Sequence, residues 1–242
     1  ETELKAQLVI NATGAWADEM RSKIGREPRL RLLRGSHLIF SQERIPLADA
    51  ISFLHPSDHR PVFAFSWEGA TLVGTTDIDH GHHMTTDPWI SEQEMEYLLE
   101  AVNHIFDCLK LTRDDVRSTF AGIRSVLDTG KADPSKEARD EILLNEDGLI
   151  TITGGKLTMF RHMAQRTLKF ASKYLPEKIK FDADSRALDI IDQKKLTSIY
   201  ECKHLDTELK ARLIGRYGAH TSQLIETIAT EEFQLIPDTK TV

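Results

Sequence analysis

The amino-acid sequence predicts an α+β fold in which an antiparallel-sheet domain is flanked by pieces of a parallel-type α/β sheet and followed by a helical region. Three observations carry that expectation. QLVINATGAWADEMRSKIG, near the start, reads as a buried strand, a glycine turn and a helix. Residues 29 to 77 then switch to period two, as in a half-buried sheet. Farther on, LITITGGKLTMF joins a short apolar strand to a helix through two glycines with no linker.

In chain order, Leu8, Val9 and Ile10 open the first strand, Gly14 breaks it, and Trp16, Met20 and Ile24 fall on one face of a helix that Gly25 stops. A strand, turn and helix of this kind belong inside a nucleotide-binding sheet, and a buried parallel strand needs neighbours on both sides. This unit stands at residue 8 and no G-x-G-x-x-G occurs. The expectation is that the first part of a larger domain precedes it. LRLLRGSHLIF, AISFLHP, PVFAFSWEG and TLVGTTD are β-rich runs parted by Pro, Asp, Glu and Gly, as in an antiparallel meander. ISEQEMEYLLEAVNHIFDCL begins with a capping box, Ser91 and Glu94, and stacks Met95, Leu98, Leu99, Val102, Ile105, Phe106 and Leu109 at helical spacing. VRSTFAGIRSVL reads as a strand and DTGKADPSKEARDE as a charged loop. After the strand Leu149 to Thr153, the helix from Lys156 to Leu175 presents Leu157, Phe160, Ala164, Leu168, Ala171 and Leu175, and Pro176 ends it. The tail is helical, with Asp206 as an N-cap and Gly218 as a C-cap.

Composition narrows the function. With 40% hydrophobic and 29% charged residues the 242-residue chain can bury a sizeable core, enough for two domains. No window approaches the ~20 apolar residues of a membrane span. The formal net charge of -7 argues against nucleic acid as a partner, because phosphate backbones select basic surfaces. Two cysteines, Cys108 and Cys202, form no CxxC pair, which fits a reducing cytosol and no metal site.

Four residues carry candidate chemistry. Gly154-Gly155-Lys156 opens a helix whose first N-H groups and positive dipole end favour an anion. A lysine there has the wrong sign for the dipole, at a cost of ~0.3 to 1 kcal/mol, which an anionic ligand would offset; a solvated lysine beside a tight turn has the same spacing. Arg124 lies in the apolar strand AGIRSVL, where a guanidinium needs an anion, either a ligand or a structural carboxylate. Arg139 sits in the charged KEARDE loop, and His37 follows a Gly-Ser step on a strand. None of these decides the function alone.

The succession NATGAW, RGSH, GTTD, AGIR, RD and GGKLT resembles the FAD-dependent glycerol-3-phosphate dehydrogenases from the central part of their chain onward, from about residue 7 to residue 175 and more weakly to the end. The resemblance implies that residues 1-28 are a remnant of an FAD-binding domain, 29-144 a substrate-binding antiparallel-sheet domain, 145-176 a return to the FAD-binding domain, and 177-242 a truncated C-terminal helical region. It implies FAD as cofactor and the oxidation of sn-glycerol 3-phosphate to dihydroxyacetone phosphate. His37 would be the base, Arg124 would stabilise the developing oxyanion and bind substrate, Arg139 would grip the phosphate, and Lys156 would turn its charge to the substrate side of the flavin. Thr13, Gly14 and Trp16, with Gly154, Gly155, Lys156, Leu157 and Thr158, would bind the cofactor.

Two positions depart from the family pattern. Ser125 follows AGIR where Pro is usual, and Glu141 follows Asp140 where an aromatic is usual. The electron acceptor would be a quinone or oxygen. The resemblance leaves room for peripheral association of the full-length protein with the inner face of a membrane, and for a homo-oligomer. An amino-acid or amine oxidase of the same superfamily is the alternative enzyme, and an inert folded module the alternative of another class. FAD affinity in such folds depends on the first βαβ unit, so the 242-residue chain by itself is expected to hold no FAD and to oxidise no substrate, with its first strand exposed at an edge or covered by a second copy.

Overall fold

A computed structural model describes residues 3–81, 87–134, 137, 140–175, 191–203 and 205–230. Contacts divide the chain into two compact units, Glu1–Lys180 and Phe181–Val242. The first holds two sheets. The larger has six strands in the order β3 (Ile51–Leu54), β4 (Pro61–Trp67), β5 (Ala70–Gly74), β2 (Leu30–Ser41) and β6 (Ile78–Asp79), with β7 (Val116–Leu127) also pairing β2. All its pairings are antiparallel. It is not a plain meander. His37 of β2 pairs with both Gly74 and Phe120, and Leu33 with both Asp79 and Arg124. One edge of β2 therefore takes β7 along its length, while the other takes β5 and then β6, with Thr75 to Asp77 leaving the ladder between them.

Period two decides which face is core. On β4, Val62 and Ala64 are buried while Phe63 and Trp67 are half exposed. Leu38, Phe40, Val62, Ala64 and Val73 pack against Leu98, Leu99, Ala101 and Val102 of α2 (Glu92–Ile105). The capping box at Ser91 and Glu94 forms as the spacing predicts. The helix ends earlier than its apolar spacing suggests: Phe106 leaves helical geometry, and Cys108 and Leu109 form a 3-10 turn. Phe106 and Leu109 still reach the core.

The smaller sheet runs β1 (Val9–Asn11), β9 (Leu149–Gly154), β8 (Glu141–Glu146), with β1 parallel and β8 antiparallel to β9. β1 is at its edge, with Val9 50% and Ile10 40% exposed. β8 is an unforeseen strand. Asp147 and Gly148 both have positive φ and close a hairpin, the Asp-Gly signal of a tight two-residue turn, and the hairpin spans the domain boundary expected at 144/145.

Two further helix expectations need correction. In the first, α1 (Ala17–Ser22) buries Ala17 and Arg21, while Trp16 and Ile24 stay half exposed. Arg21 overrides the apolar stripe because Glu146 of β8 holds its guanidinium at 2.7 and 2.9 Å, with Asp18 as a further partner. In the second, the chain stays extended at Lys156, makes a 3-10 turn at Leu157–Met159, and only then enters α3 (Phe160–Ala171).

In the second unit, α4 (Gln193–Glu201), α5 (Thr207–Tyr217) and α6 (Thr221–Thr230) bury Ile199, Leu209 and Leu213. Asp206 caps α5 by accepting from Leu209 N at 2.7 Å, and Gly218 ends it at positive φ. Among the described residues no helix is long and apolar enough to cross a membrane, and no group of three or more His, Cys, Asp or Glu is placed to hold a metal.

Candidate functional site

Residues paired directly across strands share a face. On one face of the larger sheet, Phe63, Gly74, His37 and Phe120 therefore form a row across β4, β5, β2 and β7. Two residues along lies the pair Gly35 and Gly122, and two farther Leu33 and Arg124. His37 and Arg124 thus stand on one face with a floor of two glycines between them. The histidine ring lies over Gly74, where a Cβ would come within 2.3 Å of its Cδ2, and stacks on Phe120 at 4.5 Å and 7°. Its Nδ1 is buried and has no hydrogen-bond partner among the described residues. Burial pushes the imidazole below its usual range, and the Arg124 charge pushes the same way, so at neutral pH the ring is neutral.

Arg124 crosses back over Gly35, where a Cβ would meet its Nη2 at 2.9 Å. That nitrogen donates to Asp77 Oδ1 at 2.7 Å and to Thr76 O at 3.1 Å. The carboxylate partner that an arginine on this strand required is Asp77, in the GTTD stretch. Asp77 also faces Arg60 Nη2 at 3.2 Å.

The next residue, Ser125, points to the other face and hydrogen-bonds Thr153 of β9 at 3.0 Å, which joins the two sheets. Beside it opens a cavity of about 510 Å³, walled by Ile10, Gly14, Ile152, Phe160, Met163 and Leu168, with Gly154, Gly155, Lys156 and Leu157 at the strand-to-helix turn. Both glycines are forced. Each has φ above +70°; a Cβ on Gly154 would meet Asp140 O at 2.5 Å, and one on Gly155 Met163 Sδ at 2.6 Å. The turn that follows has no side-chain cap and no acidic residue, so its end stays electropositive. The apolar stripe expected on this helix does exist, but Leu157 (88%), Phe160 (51%) and Leu168 (36%) are exposed. Only Thr167 and Ala171 are buried in α3.

Lys156 also borders a second, polar hollow of about 490 Å³ that includes Thr158, Asp140, Glu141, His162 and Arg166, the last paired with Glu141. On the far flank, Thr13 donates its hydroxyl to Asn11 Oδ1 at 2.6 Å and Gly14 turns at φ +60°. Trp16 is half exposed at the end of that turn. Arg139 lies outside the described residues.

The structure thus brings His37 to Arg124, and gathers Gly14, Gly154, Gly155, Lys156 and Leu157 around one cavity. The two clusters meet where Arg124 and Ser125 alternate on β7. Sequence reading missed four supports. Asp77 sat inside a quoted motif without a role. Asn11, buried, donates to Ala17 O at 3.0 Å and Thr151 Oγ1 at 3.2 Å and so shapes the first turn; an Asn between a strand and a Thr-Gly step is the available signal. Ser125 was noted only as a departure. Glu94 was read as a cap, yet it also accepts from Arg34 at 2.6 Å, Ser36 at 2.8 Å and Thr76 at 2.6 Å; its place one turn before the buried Leu98 marks the inward face.

Comparison with known proteins gives the family and the fold. Residues 1–167 match the family model described as FAD dependent oxidoreductase. The chain is 34% identical to the aerobic glycerol-3-phosphate dehydrogenase of Staphylococcus epidermidis over 249 residues, covering 95% of this chain and 44% of that protein. It is 33% identical to that of Staphylococcus aureus, with the same coverage. The chain therefore spans less than half the length of these relatives. Among solved structures, the glycerol-3-phosphate dehydrogenase of Bacillus halodurans complexed with FAD superposes with a TM-score of 0.76 at 30% identity, over 92% of this chain and 45% of that one. The L-alpha-glycerophosphate oxidase of Mycoplasma pneumoniae, with FAD bound, shares the fold at a TM-score of 0.53 and 18% identity, over 73% of this chain and 44% of that one. With its strand-glycine-helix turns around an apolar cavity and its match along residues 1–167, this chain belongs to the family of FAD dependent oxidoreductases.

Proposed function

We propose that the chain supplies the substrate face and part of the flavin site of an enzyme that oxidises sn-glycerol 3-phosphate to dihydroxyacetone phosphate. The observation that carries the reading is a half-buried His37, its pKa lowered, on the same sheet face as Arg124 with a bare glycine floor between them, in a chain about a third identical to enzymes named for that substrate.

The residues fit a flavin. The cavity beside the Gly154-Gly155 turn has apolar walls for a flat ring. The uncapped turn at Leu157 and Thr158 offers N-H groups to an electron-rich ring edge. Gly14 exposes backbone with nothing within 4 Å of its missing Cβ. Gly154, Gly155, Lys156, Leu157 and Thr158 would hold the ring end, with Thr13, Gly14 and Trp16 on the flank. Bound FAD supplies the acceptor for the hydride leaving C2 of the substrate.

The chain's own residues handle charge and protons. His37 takes the proton of the C2 hydroxyl, which a neutral imidazole can do and an imidazolium cannot. Arg124 stabilises the negative charge that grows on that oxygen. Arg139 grips the phosphate with its planar fork, and Lys156 adds a second positive charge. The electrons then leave to a quinone or to oxygen, and docking at a membrane surface and self-association belong to the same proposal.

Arg139→Ala tests the substrate. In the whole FAD-loaded enzyme, of which this chain supplies the substrate face, it should raise KM for glycerol 3-phosphate by about one to two decades, the worth of a lost charge-assisted contact, and leave glycerol oxidation nearly unchanged. An equal loss on both substrates removes the phosphate from the reading.

A further inference from the structure

The proposed chemistry needs Arg124 in one place, but the glycines beneath it, Gly35 and Gly122, offer no side chain of their own to limit its rotamers. Three fixed points limit it instead: Asp77 Oδ1 at 2.7 Å, Thr76 O at 3.1 Å, and the Gly35 surface, where even a Cβ would stand 2.9 Å from Nη2. We propose that Asp77 is a positioning residue, whose buried carboxylate, shared with Arg60, holds the Arg124 guanidinium over Gly35 on the His37 side of the sheet. This rests on the functional reading only for what Arg124 does once it is held.

The carboxylate is itself anchored. Its side chain is 1% exposed. Arg60 approaches Oδ2 at 3.2 Å and donates from Nη1 to the Asp77 carbonyl at 3.1 Å, which fixes side chain and backbone together. Thr76 next to it is clasped on both sides. Its hydroxyl donates to Glu94 at 2.6 Å and accepts from Ser36 N at 2.9 Å, and its own N-H donates to Ser36 O at 3.3 Å. The line from the N-terminus of α2 through Glu94, Thr76 and Asp77 to Arg124 is therefore continuous. Arg124 meets Asp77 Oδ1 and Arg60 meets Oδ2, so the two guanidiniums hold the carboxylate from both of its oxygens.

A mutant cycle on the FAD-loaded enzyme separates positioning from plain structural support. Asp77→Asn should lower kcat for glycerol 3-phosphate about 10- to 100-fold, as expected for a catalytic group displaced by about an ångström, with KM changed only a few-fold. On an Arg124→Ala background the same substitution should lower kcat less than twofold, because nothing is left to position. Losses that multiply would overturn the proposal, since Asp77 would then act on the site by another route. If Asp77→Asn does not fold, Asp77→Glu keeps the buried charge and shifts it by one methylene. It should lower kcat about tenfold, again only when Arg124 is present, and an unchanged kcat would count against the proposal. A crystal structure of the folded Asp77 variant gives a readout without substrate. Arg124 displaced from Thr76 O supports positioning, and Arg124 unmoved overturns it. Inactivity on glycerol 3-phosphate of the whole FAD-loaded enzyme to which this chain belongs would defeat the functional reading and leave that structural result standing.

Discussion

His37 lies where two opposed demands meet. Its ring is packed over Gly74 and against Phe120, which buries Nδ1, and that atom has no hydrogen-bond partner among the described residues. Burial first, and Arg124 second, hold its pKa below the ordinary 6.5. For a base the sign is clear: kcat/KM should be level at neutral pH and fall with unit slope on acidification, with an apparent pKa below 6.5. The same depression means that any stability linked to this group is present above about pH 6.5 and is lost as pH falls through the lower folded value. His37→Ala should lower kcat by roughly 10² to 10⁴ and abolish the acid limb while flavin content holds. A limb that survives the substitution assigns the base elsewhere. The two turn glycines permit a ranking. Gly154→Ala meets a backbone carbonyl and Gly155→Ala a flexible thioether, both at positive φ. Denaturation midpoints should therefore fall for both, by ~1 to 2 kcal/mol for Gly155→Ala and by more for Gly154→Ala; the reverse order would contradict this turn.

At the scale of elements, the N-terminus of α2 does more than start a helix. Glu94 closes the capping box and at the same time joins Arg34 and Ser36 of β2 to Thr76 in the β5–β6 connection. Burial works to raise its carboxyl, yet the hydrogen bonds from Arg34, Thr76, Ser91 and Ser36 hold it below the usual carboxylate range. Its contribution is thus present above about pH 4.5 and disappears as pH falls through the lower folded value. Glu94→Gln keeps the shape and leaves the Arg34 guanidinium, 7% exposed, without its counter-charge. Chemical denaturation should show a loss of ~3 to 5 kcal/mol. A loss below about 1 kcal/mol would reduce Glu94 to an ordinary helix cap.

At the scale of the molecule, the site depends on how the two sheets of the first unit meet. β7 places Arg124 on the His37 face of the larger sheet, and one residue later places Ser125 against Thr153 of the smaller one. Alternation along a strand turns adjacent residues to opposite faces, so one strand serves both halves of the site. Ser125→Ala removes this neutral hydrogen bond and should cost ~0.5 to 1.5 kcal/mol in urea denaturation. A neutral outcome would mean that this hydrogen bond adds nothing to how the sheets are held together.

The sequence by itself determined the elements whose local chemistry points one way: the period-two strands, the Ser91 to Glu94 capping box, the Asp206 cap, and the glycines at 14, 154 and 155. Each of these is fixed by neighbours within a few residues, through side-chain periodicity, a reciprocal cap or a backbone angle that only glycine adopts readily. The motif order also placed His37, Arg124 and Lys156 as candidates. The tertiary structure decided what surrounds them. Asp77 lies 47 residues before Arg124, Glu94 lies 60 after Arg34, and Glu146 lies 125 after Arg21. Those pairings depend on which strands lie side by side. The tertiary structure also set the start of α3 beyond Lys156 and turned Arg21 inward in place of Trp16, because a buried bidentate ion pair supplied by a distant strand outweighs an apolar stripe that local spacing alone can propose.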